Sequence, residues 1–388
     1  MKPDAELDTR TPPPRPRVPL ERVLKVLLGL HDGIRDAVVS ACERQSVERL
    51  SEVTDGSHVA DIDTDIQARG LGDTVYAIDR VSEAELIDGL TDELASEQPV
   101  VLIAEGLPGG SMVLPRGAAA RDAAWRILVD PIDGTRGLMY QKRAAWVLTG
   151  VAPNFGPGTT LRDIRLAVQT EIPLLKQHLC DQLHVLDRAD DTGRIQPGEV
   201  VATRHNRLDG TTESWTPTPS RAGDIRHGFA SMVRFFHGFR TPMSRLDEAL
   251  HDRLLGRTRA DRAESFEDQY MSTGGQLYEL ATGRDRMVAD LRPLAALDLA
   301  RRGLPMGLCC HPYDLASMLI AERLGVVLEG PDGRPLDARF STVERVAWIG
   351  YANRLLADRV GSAIRDVLDA EGLLPRTPTD LPRDPTTP

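Results

Sequence analysis

Two aspartates three positions apart are the residues of this sequence best suited to chemistry. The segment 130–135 reads Asp-Pro-Ile-Asp-Gly-Thr and follows the apolar run Trp125–Val129, which predicts a buried strand. A turn after such a strand would bring Asp130 and Asp133 to the same side. Carboxylate and carbonyl oxygens suit Mg²⁺, which often binds through a few carboxylates plus a substrate phosphate. The competing interpretation is a plain turn with an aspartate N-cap before a helix.

Further features favour a site over a plain turn. Gly134 allows close backbone approach, and Thr135 adds a hydroxyl at the predicted start of a helix, where backbone N–H groups attract phosphate. A second apolar run, Pro99–Ala104, predicts another buried strand that ends at Glu105, and Asp314 stands at the start of a predicted helix. α/β proteins build their sites at strand ends, and a plain turn leaves these two acids unexplained.

The elements that would position these residues include both helices and buried strands. Apolar spacing and closing glycines predict helices over 20–45, 81–94, 272–283 and 313–324. Short apolar runs predict strands over Pro99–Ala104, Trp125–Val129, Ala145–Ala152 and Val326–Leu328. This pattern predicts a layered α/β fold.

Composition divides the chain into two folded parts between polar ends. Residues 1–18 and 373–388 are rich in proline and poor in apolar side chains, so both are predicted to be disordered tails. An N-terminal α+β part is predicted over 19–199 and a C-terminal α/β part over 200–372. Within the second part, segment 205–268 is polar and arginine-rich, and it interrupts the pattern.

Length and charge narrow the classes of function. A chain of 388 residues, 41% hydrophobic and 27% charged, is typical of a soluble globular protein with a sizeable core. The net charge of −11 disfavours nonspecific binding to nucleic acid or to an anionic membrane. No apolar run reaches about 18 residues, so no membrane-spanning helix is predicted. The first residues lack the apolar stretch of a signal peptide, and four cysteines are too few for a disulfide scaffold, so a cytoplasmic protein is expected.

The segment Trp125–Thr135 resembles the metal-binding signature of the inositol monophosphatase superfamily. This superfamily includes fructose-1,6-bisphosphatases and 3′(2′),5′-bisphosphate nucleotidases. Three weaker segments resemble other parts of the family in the same order, namely 73–79, the helix from Ser272 to Asp285, and 311–327, which begins His-Pro-Tyr-Asp. Together the four matches cover residues 70–335.

The resemblance implies a set of metal ligands. One Mg²⁺ would be held by Glu105, Asp130 and the main-chain carbonyl of Ile132. A second Mg²⁺ would be held by Asp130, Asp133 and Asp314, so Asp130 would bridge the two ions.

The resemblance also implies catalytic and phosphate-binding roles. Asp79 and Thr135 would orient and deprotonate a metal-bound water, and the main-chain amides of Gly134 and Thr135 would receive the phosphate. Phosphoryl transfer needs charge neutralisation and in-line positioning more than covalent help, so these roles agree with the chemistry.

A fold and a function follow from the same resemblance. It implies an α-β-α-β-α sandwich and a Mg²⁺-dependent phosphatase that hydrolyses a small phosphomonoester, an inositol phosphate or a sugar phosphate. The alternatives are a 3′(2′),5′-bisphosphate nucleotidase, a fructose-1,6-bisphosphatase-like enzyme and, outside the enzymes, a catalytically silent protein that binds a phosphorylated ligand. The expected partner is a small phosphorylated metabolite, with no nucleic acid or membrane, and the family implies a homodimer.

The sequence departs from the family pattern in three places. Gly106 stands where the family often has a second acid, which puts a third metal ion in question. Residues 136–138, Arg-Gly-Leu, stand where inositol monophosphatases have Thr-Asn-Phe. They look more like the Lys-Gly-Phe of the bisphosphate nucleotidases. The segment 205–268 has no counterpart in the family, and a run of arginines and phenylalanines over 226–240 lies within it. Its Arg234 and Arg240 are candidates to hold a second anionic group of the substrate, and the competing interpretation is an amphipathic helix with exposed arginines.

Overall fold

The computed structural model describes residues 10–44, 79–190, 192, 194–256, 262–301 and 307–374. The chain falls into two compact units. The first unit comprises Met1–Thr216, His311–Arg323 and Ala338–Glu344. The second unit comprises Pro217–Cys310, Leu324–Asp337 and Arg345–Pro388. Both contain helices and strands, which confirms the predicted α/β class.

Strands and helices follow one another along the described chain. The strands are β1 (Val100–Ala104), β2 (Ser111–Leu114), β3 (Trp125–Asp133), β4 (Ala145–Pro153), β5 (Leu166–Ile172), β6 (Leu179–Leu186), β7 (Arg188–Ala189), β8 (Ile195–Gln196), β9 (Val201–Asn206), β10 (Thr212–Trp215), β11 (Phe229–Met232), β12 (Asp285–Asp290), β13 (Val327–Glu329) and β14 (Trp348–Tyr351). The α-helices are α1 (Leu20–Arg44), α2 (Asp79–Leu90), α3 (Thr135–Met139), α4 (Arg240–Leu255), α5 (Thr273–Ala281), α6 (Arg292–Arg301), α7 (Met318–Arg323) and α8 (Arg354–Ala370).

An eight-stranded sheet forms the centre of the first unit. Its strand order is β10-β9-β6-β5-β4-β3-β1-β2, in which only β1 and β3 run parallel. Helix α1 buries an apolar stripe against this sheet, with Leu27 and Ile34 fully buried in one cluster with Val147 and Val168. Each such side chain contributes about 1.5–3 kcal/mol, so the stripe holds α1 on β4 and β5.

The second unit has a smaller sheet of four strands. Their order is β11-β12-β14-β13, with β11 and β12 parallel and the other pairs antiparallel. The fully buried Trp348 and Tyr351 anchor β14 in this unit. No helix among the described residues is both long enough and apolar enough to span a membrane.

Several predicted elements differ in extent from the observed ones. The strand predicted to end at Val129 continues to Asp133. Helix α2 gives way to a π-helical turn at Thr91. The helix predicted over 313–324 is a 3₁₀ turn, Pro312–Leu315, followed by the short α7.

The ends of the chain and the atypical segment are placed as follows. Within the predicted N-terminal tail, Val18 is buried, and its carbonyl accepts a hydrogen bond of 2.9 Å from Trp125 Nε1. Residues 1–9 and 375–388 lie outside the described part of the chain. Segment 205–268 is divided between the units, because its first residues complete β9 and form β10 in the large sheet.

Candidate metal centre

The parallel pairing of β1 and β3 brings the first two acids together. Register partners run from Val100 with Trp125 to Ala104 with Val129. The next residues, Glu105 and Asp130, therefore leave neighbouring strands at the same edge of the sheet. The two apolar strands that the sequence predicts thus deliver their carboxylates side by side.

An irregularity at the end of β3 turns Asp133 toward Asp130. Asp130 pairs with Leu148 on β4, whereas Asp133 pairs with Trp146, so the register shifts between them. The Ile132 N–H donates a 3.1 Å hydrogen bond to Asp130 Oδ1. Gly134 then adopts a φ of +99°, a left-handed conformation that favours glycine. This bulge and turn explain how two acids three residues apart share one site.

Asp314 reaches the site from a distant part of the sequence. It lies in the 3₁₀ turn that opens residues 311–323, and its Oδ2 accepts a 2.5 Å hydrogen bond from the His311 N–H. This turn packs closely on β4, because a Cβ at Gly150 would lie only 2.5 Å from the Ala316 carbonyl oxygen. Ser317 adds a 3.0 Å hydrogen bond to Gln169 on β5.

The three aspartates form one compact cluster. One carboxylate oxygen from each of Asp130, Asp133 and Asp314 lies within 4.8 Å of an oxygen from each of the others. Asp130 is 5% exposed and Asp133 is 7% exposed. Burial raises the pKa of Asp130 well above its usual range, and the negative charges of Asp133, Asp314 and Glu105 raise it further. The hydrogen bond from the Ile132 N–H lowers this pKa, but by less.

This donor set fits Mg²⁺. Its ligands are carboxylate oxygens, which hard divalent cations prefer, and they converge to a spacing that one or two small ions can bridge. Buried carboxylates in mutual contact are costly unless a cation or a proton neutralises them. Glu105 belongs to the same electrostatic group, since its charge acts on Asp130.

The remaining predicted site residues are placed as follows. The Thr135 hydroxyl donates a 2.8 Å hydrogen bond to the Ile132 carbonyl, so these two lie together directly after Asp130. Gly134 precedes α3 and provides the turn into it. Asp79 is the first residue of α2, and its side chain lies outside the described part of the chain.

One carboxylate near the site, that of Glu83, was not predicted from the sequence. A Cβ at Gly106 would lie 3.6 Å from Glu83 Oε2, so Glu83 brings its carboxylate to the turn that follows Glu105. Glu83 stands four residues after Asp79, and positions i and i+4 share one face of a helix. That spacing is the signal that would have found it.

Arg234 and Arg240 belong to the second unit. Arg234 donates to Asp247 at 3.2 Å and also pairs with Glu267, and Arg240 is the first residue of α4. The run 226–240 is not one helix, as it contains β11. Residues His227, with a φ of +58°, and Gly238, with a φ of +96°, interrupt helical conformation.

Comparison with known proteins identifies the fold. No family model and no curated protein matches the sequence. Solved structures match over most of their length. A putative sedoheptulose-1,7 bisphosphatase from Toxoplasma gondii is 11% identical, with a TM-score of 0.57 over 89% of this chain and 95% of its own. A Pyrococcus horikoshii protein with similarities for inositol-1 monophosphatase is 12% identical, with a TM-score of 0.54 over 89% and 99%. An IMPase from Thermotoga maritima is 14% identical, with a TM-score of 0.52 over 90% and 98%.

The resemblance is therefore confirmed at the level of the fold. This chain has the fold of the inositol monophosphatase superfamily, and the structures it resembles include an IMPase and a putative bisphosphatase by name. Similarity at this level of identity establishes the fold alone. Function must be argued from the site.

Proposed function

We propose that this protein is a Mg²⁺-dependent phosphatase that hydrolyses a small phosphomonoester. The observation that carries the proposal is the cluster of the buried Asp130 and Asp133 with the half-buried Asp314, at the strand ends of an inositol monophosphatase fold. A plain turn with an aspartate N-cap does not account for Asp314, which arrives from another part of the chain.

The carboxylates would bind two Mg²⁺ ions. Glu105, Asp130 and the Ile132 carbonyl would hold one Mg²⁺, and Asp130, Asp133 and Asp314 would hold the other. When bound, such ions neutralise phosphate oxygens and lower the pKa of a coordinated water. The β3 bulge and the 3₁₀ turn fix the spacing of the carboxylates that would hold them.

Thr135 and Asp79 would handle the proton of the attacking water. The Thr135 hydroxyl donates to the Ile132 carbonyl, which fixes its orientation directly after Asp130, and it would help to orient that water. Asp79 would then take the proton as general base. The main-chain amides of Gly134 and Thr135 would bind the phosphate on the other side.

The substrate would be a small phosphorylated metabolite. Inositol phosphates and sugar phosphates are the leading candidates, and a bisphosphorylated sugar or nucleotide is the alternative, which the name of the Toxoplasma structure supports. In either case Arg234 and Arg240 are proposed to influence selectivity for a second anionic group. A cytoplasmic homodimer with two Mg²⁺ ions per chain completes the proposal.

Release of inorganic phosphate tests this function. Purified protein is incubated with p-nitrophenyl phosphate and with inositol, sugar and nucleotide phosphates, in Mg²⁺ and in EDTA. We expect release in Mg²⁺ only, and Thr135→Ala should lower kcat by about 10²-fold while the protein keeps its thermal stabilisation by Mg²⁺. Stabilisation by Mg²⁺ without hydrolysis of any substrate class would instead identify a silent phosphate-ligand binder.

A further inference from the structure

A cavity of about 280 Å³ lies in the first unit, apart from the carboxylate cluster. Its walls come from the C-terminal half of α1, the first residues of β6, and the end of β9 with the turn toward β10. The side chains that matter to its chemistry are Arg35, Asp36, Ser40, Cys180, His205 and Arg207. Its volume suits a small ion or metabolite rather than a large ligand.

This cavity and the metal centre occupy opposite faces of the large sheet. Thr149 on β4 faces α1, because its hydroxyl bonds to His31 Nε2 at 2.8 Å. The next residue, Gly150, faces the Ala316 carbonyl, and successive side chains of a strand point to opposite faces. Asp130 pairs with Leu148, which shares the face of Gly150. Strands β3 and β6 are also three strand spacings apart, about 14 Å.

Two guanidinium groups converge on this cavity from different walls. Arg35 comes from α1 and Arg207 from the turn after β9. Burial raises the pKa of the Cys180 thiol to about 11, while the positive charges of both arginines act to lower it. The carboxylates of Glu171 and Asp181 act in the opposite direction. Both arginines therefore project positive potential onto the same point of the cavity wall.

The two arginines are held in place by the surrounding structure. Arg207 Nη1 donates to the Gln177 carbonyl at 2.8 Å, and the guanidinium lies 3.8 Å from Glu43. Arg35 donates to Asp32 at 2.8 Å and to Asp36 at 3.0 Å. The Arg35 side chain is 13% exposed, whereas that of Asp36 is 71% exposed and free to turn into solvent. A fixed Arg35 guanidinium whose Asp36 partner can turn away suits an exchangeable anion.

His205 adds an unmet hydrogen-bonding group. It stands opposite Cys180 in the pairing of β6 with β9. Its Nε2 is buried and has no hydrogen-bond partner among the described residues. The His205 side chain also lines the cavity, and a buried polar atom without a partner costs free energy. Donors from three directions match a tetrahedral anion better than a planar carboxylate, which one guanidinium can satisfy.

We propose that this cavity binds a tetrahedral anion, either free phosphate or the phosphate group of a small metabolite, between Arg35 and Arg207 with His205 as a third partner. This site is independent of the proposed phosphatase activity. It would allow the protein to sense phosphate while the opposite face of the sheet carries the metal centre.

Calorimetric titration with inorganic phosphate in EDTA tests the proposal, because the metal-free carboxylate cluster repels anions. We expect saturable binding that weakens about tenfold or more in Arg35→Gln and in Arg207→Gln. Arg188→Gln is the matched control, since Arg188 pairs with Glu21 on the surface of the same unit and lies outside the cavity. Asp130→Asn should bind phosphate as the wild type does, which separates this site from the metal centre.

Additional ligands and variants identify the bound anion and keep the proposal testable. Tighter binding of glycerol phosphate than of phosphate would identify a metabolite as the ligand, and equal or weaker binding would identify the free ion. If thermal melts show that the glutamine variants are misfolded, His205→Asn and Arg35→Lys decide instead, and both should weaken binding. No saturable binding in the wild type would overturn the proposal. So would equal affinity in the cavity variants and Arg188→Gln, or loss of binding in Asp130→Asn.

Discussion

Asp130 is the residue of the metal centre whose negative charge is most unfavourable in the metal-free protein. It is nearly buried, it faces three other carboxylates, and its pKa is raised for both reasons. The hydrogen bond from the Ile132 N–H lowers the pKa but does not reverse that shift. Such a residue weakens the metal-free protein and is stabilised when a cation binds, because the ion turns mutual repulsion into shared attraction.

The variant Asp130→Asn should therefore separate folding from metal binding. In EDTA we expect it to melt at or above the wild-type temperature, since the amide carries no charge. In millimolar Mg²⁺ the increase in Tm seen for the wild type should be mostly lost. Thermal melts across a Mg²⁺ series make the measurement, with the exposed Asp122→Asn as the control. A full Mg²⁺ response in Asp130→Asn would contradict the assignment.

His31 gives a pH-dependent test on the face of the large sheet opposite to the aspartate cluster. Its two ring nitrogens contact the hydroxyls of Thr170 at 3.0 Å and Thr149 at 2.8 Å. Burial, aided by the Arg35 charge, lowers the pKa of His31 to about 3. Between pH 6.5 and 3 the unfolded chain therefore binds a proton at this position that the folded chain does not, so stability falls as the pH falls through that window.

We expect the variant His31→Gln to lose this part of the pH dependence. Below pH 6.5 the wild-type free energy of unfolding should fall more steeply than that of the variant, by up to about 1.4 kcal/mol per pH unit. Urea unfolding in EDTA between pH 7.5 and pH 4.5 measures both slopes. The exposed His237→Gln is the control and should follow the wild type. Parallel curves for the wild type and His31→Gln would show that His31 is not held neutral.

Among the elements, β4 helps to fix the position of the Asp314 turn. A Cβ at Gly150 would lie 2.5 Å from the Ala316 carbonyl and 2.8 Å from Ile164 Cδ1, so Gly150→Ala must push that turn away. We expect a loss of about 1–3 kcal/mol in stability and a higher Mg²⁺ concentration for half-maximal thermal stabilisation. Gly29→Ala, on α1 with open space around it, should instead stabilise by about 0.5–1 kcal/mol and leave Mg²⁺ binding unchanged. Unchanged Mg²⁺ affinity in Gly150→Ala would show that the turn tolerates displacement.

Local patterns predict some of these elements better than others. The strands ending at Glu105 and near Asp130 follow from continuous apolar runs, and α5 follows from helical spacing closed by glycine. The bulge that carries β3 on to Asp133 depends on pairing with β4, which no local pattern contains. The run 226–240 looks amphipathic, yet two residues with positive φ and the pairing of β11 with β12 override that pattern.

At the scale of the whole molecule, chain connectivity is what the sequence alone could not predict. Residues 311–323 return to the first unit after a long excursion through the second, and Asp314 comes with them. Asp314 could be assigned to the metal centre only by resemblance to a family, because periodicity carries no information about contacts so distant along the chain. The same limit applies to segment 205–268, whose division between the units depends on sheet pairing.

Ion pairs hold the returning segment, residues 311–323, within the first unit. Arg323, which ends α7, donates from Nε to Asp187 Oδ1 at 3.1 Å, and the Asp187 side chain is 1% exposed. Arg323→Ala leaves that carboxylate buried without its guanidinium, which should cost about 3 kcal/mol. Because this ion pair lies on the same segment as the Asp314 turn, we also expect weaker stabilisation by Mg²⁺.

Two controls distinguish a specific effect of the Arg323–Asp187 ion pair from a general loss of stability. Arg354→Ala removes a 65% exposed arginine that pairs with Glu329 in the second unit, and it should cost no more than about 1 kcal/mol without changing the Mg²⁺ response. Adding Asp187→Asn to Arg323→Ala removes the orphaned charge, so part of the stability should return while Mg²⁺ affinity stays low. If Arg323→Ala destabilises the protein but binds Mg²⁺ as the wild type does, the ion pair supports the fold and not the metal centre.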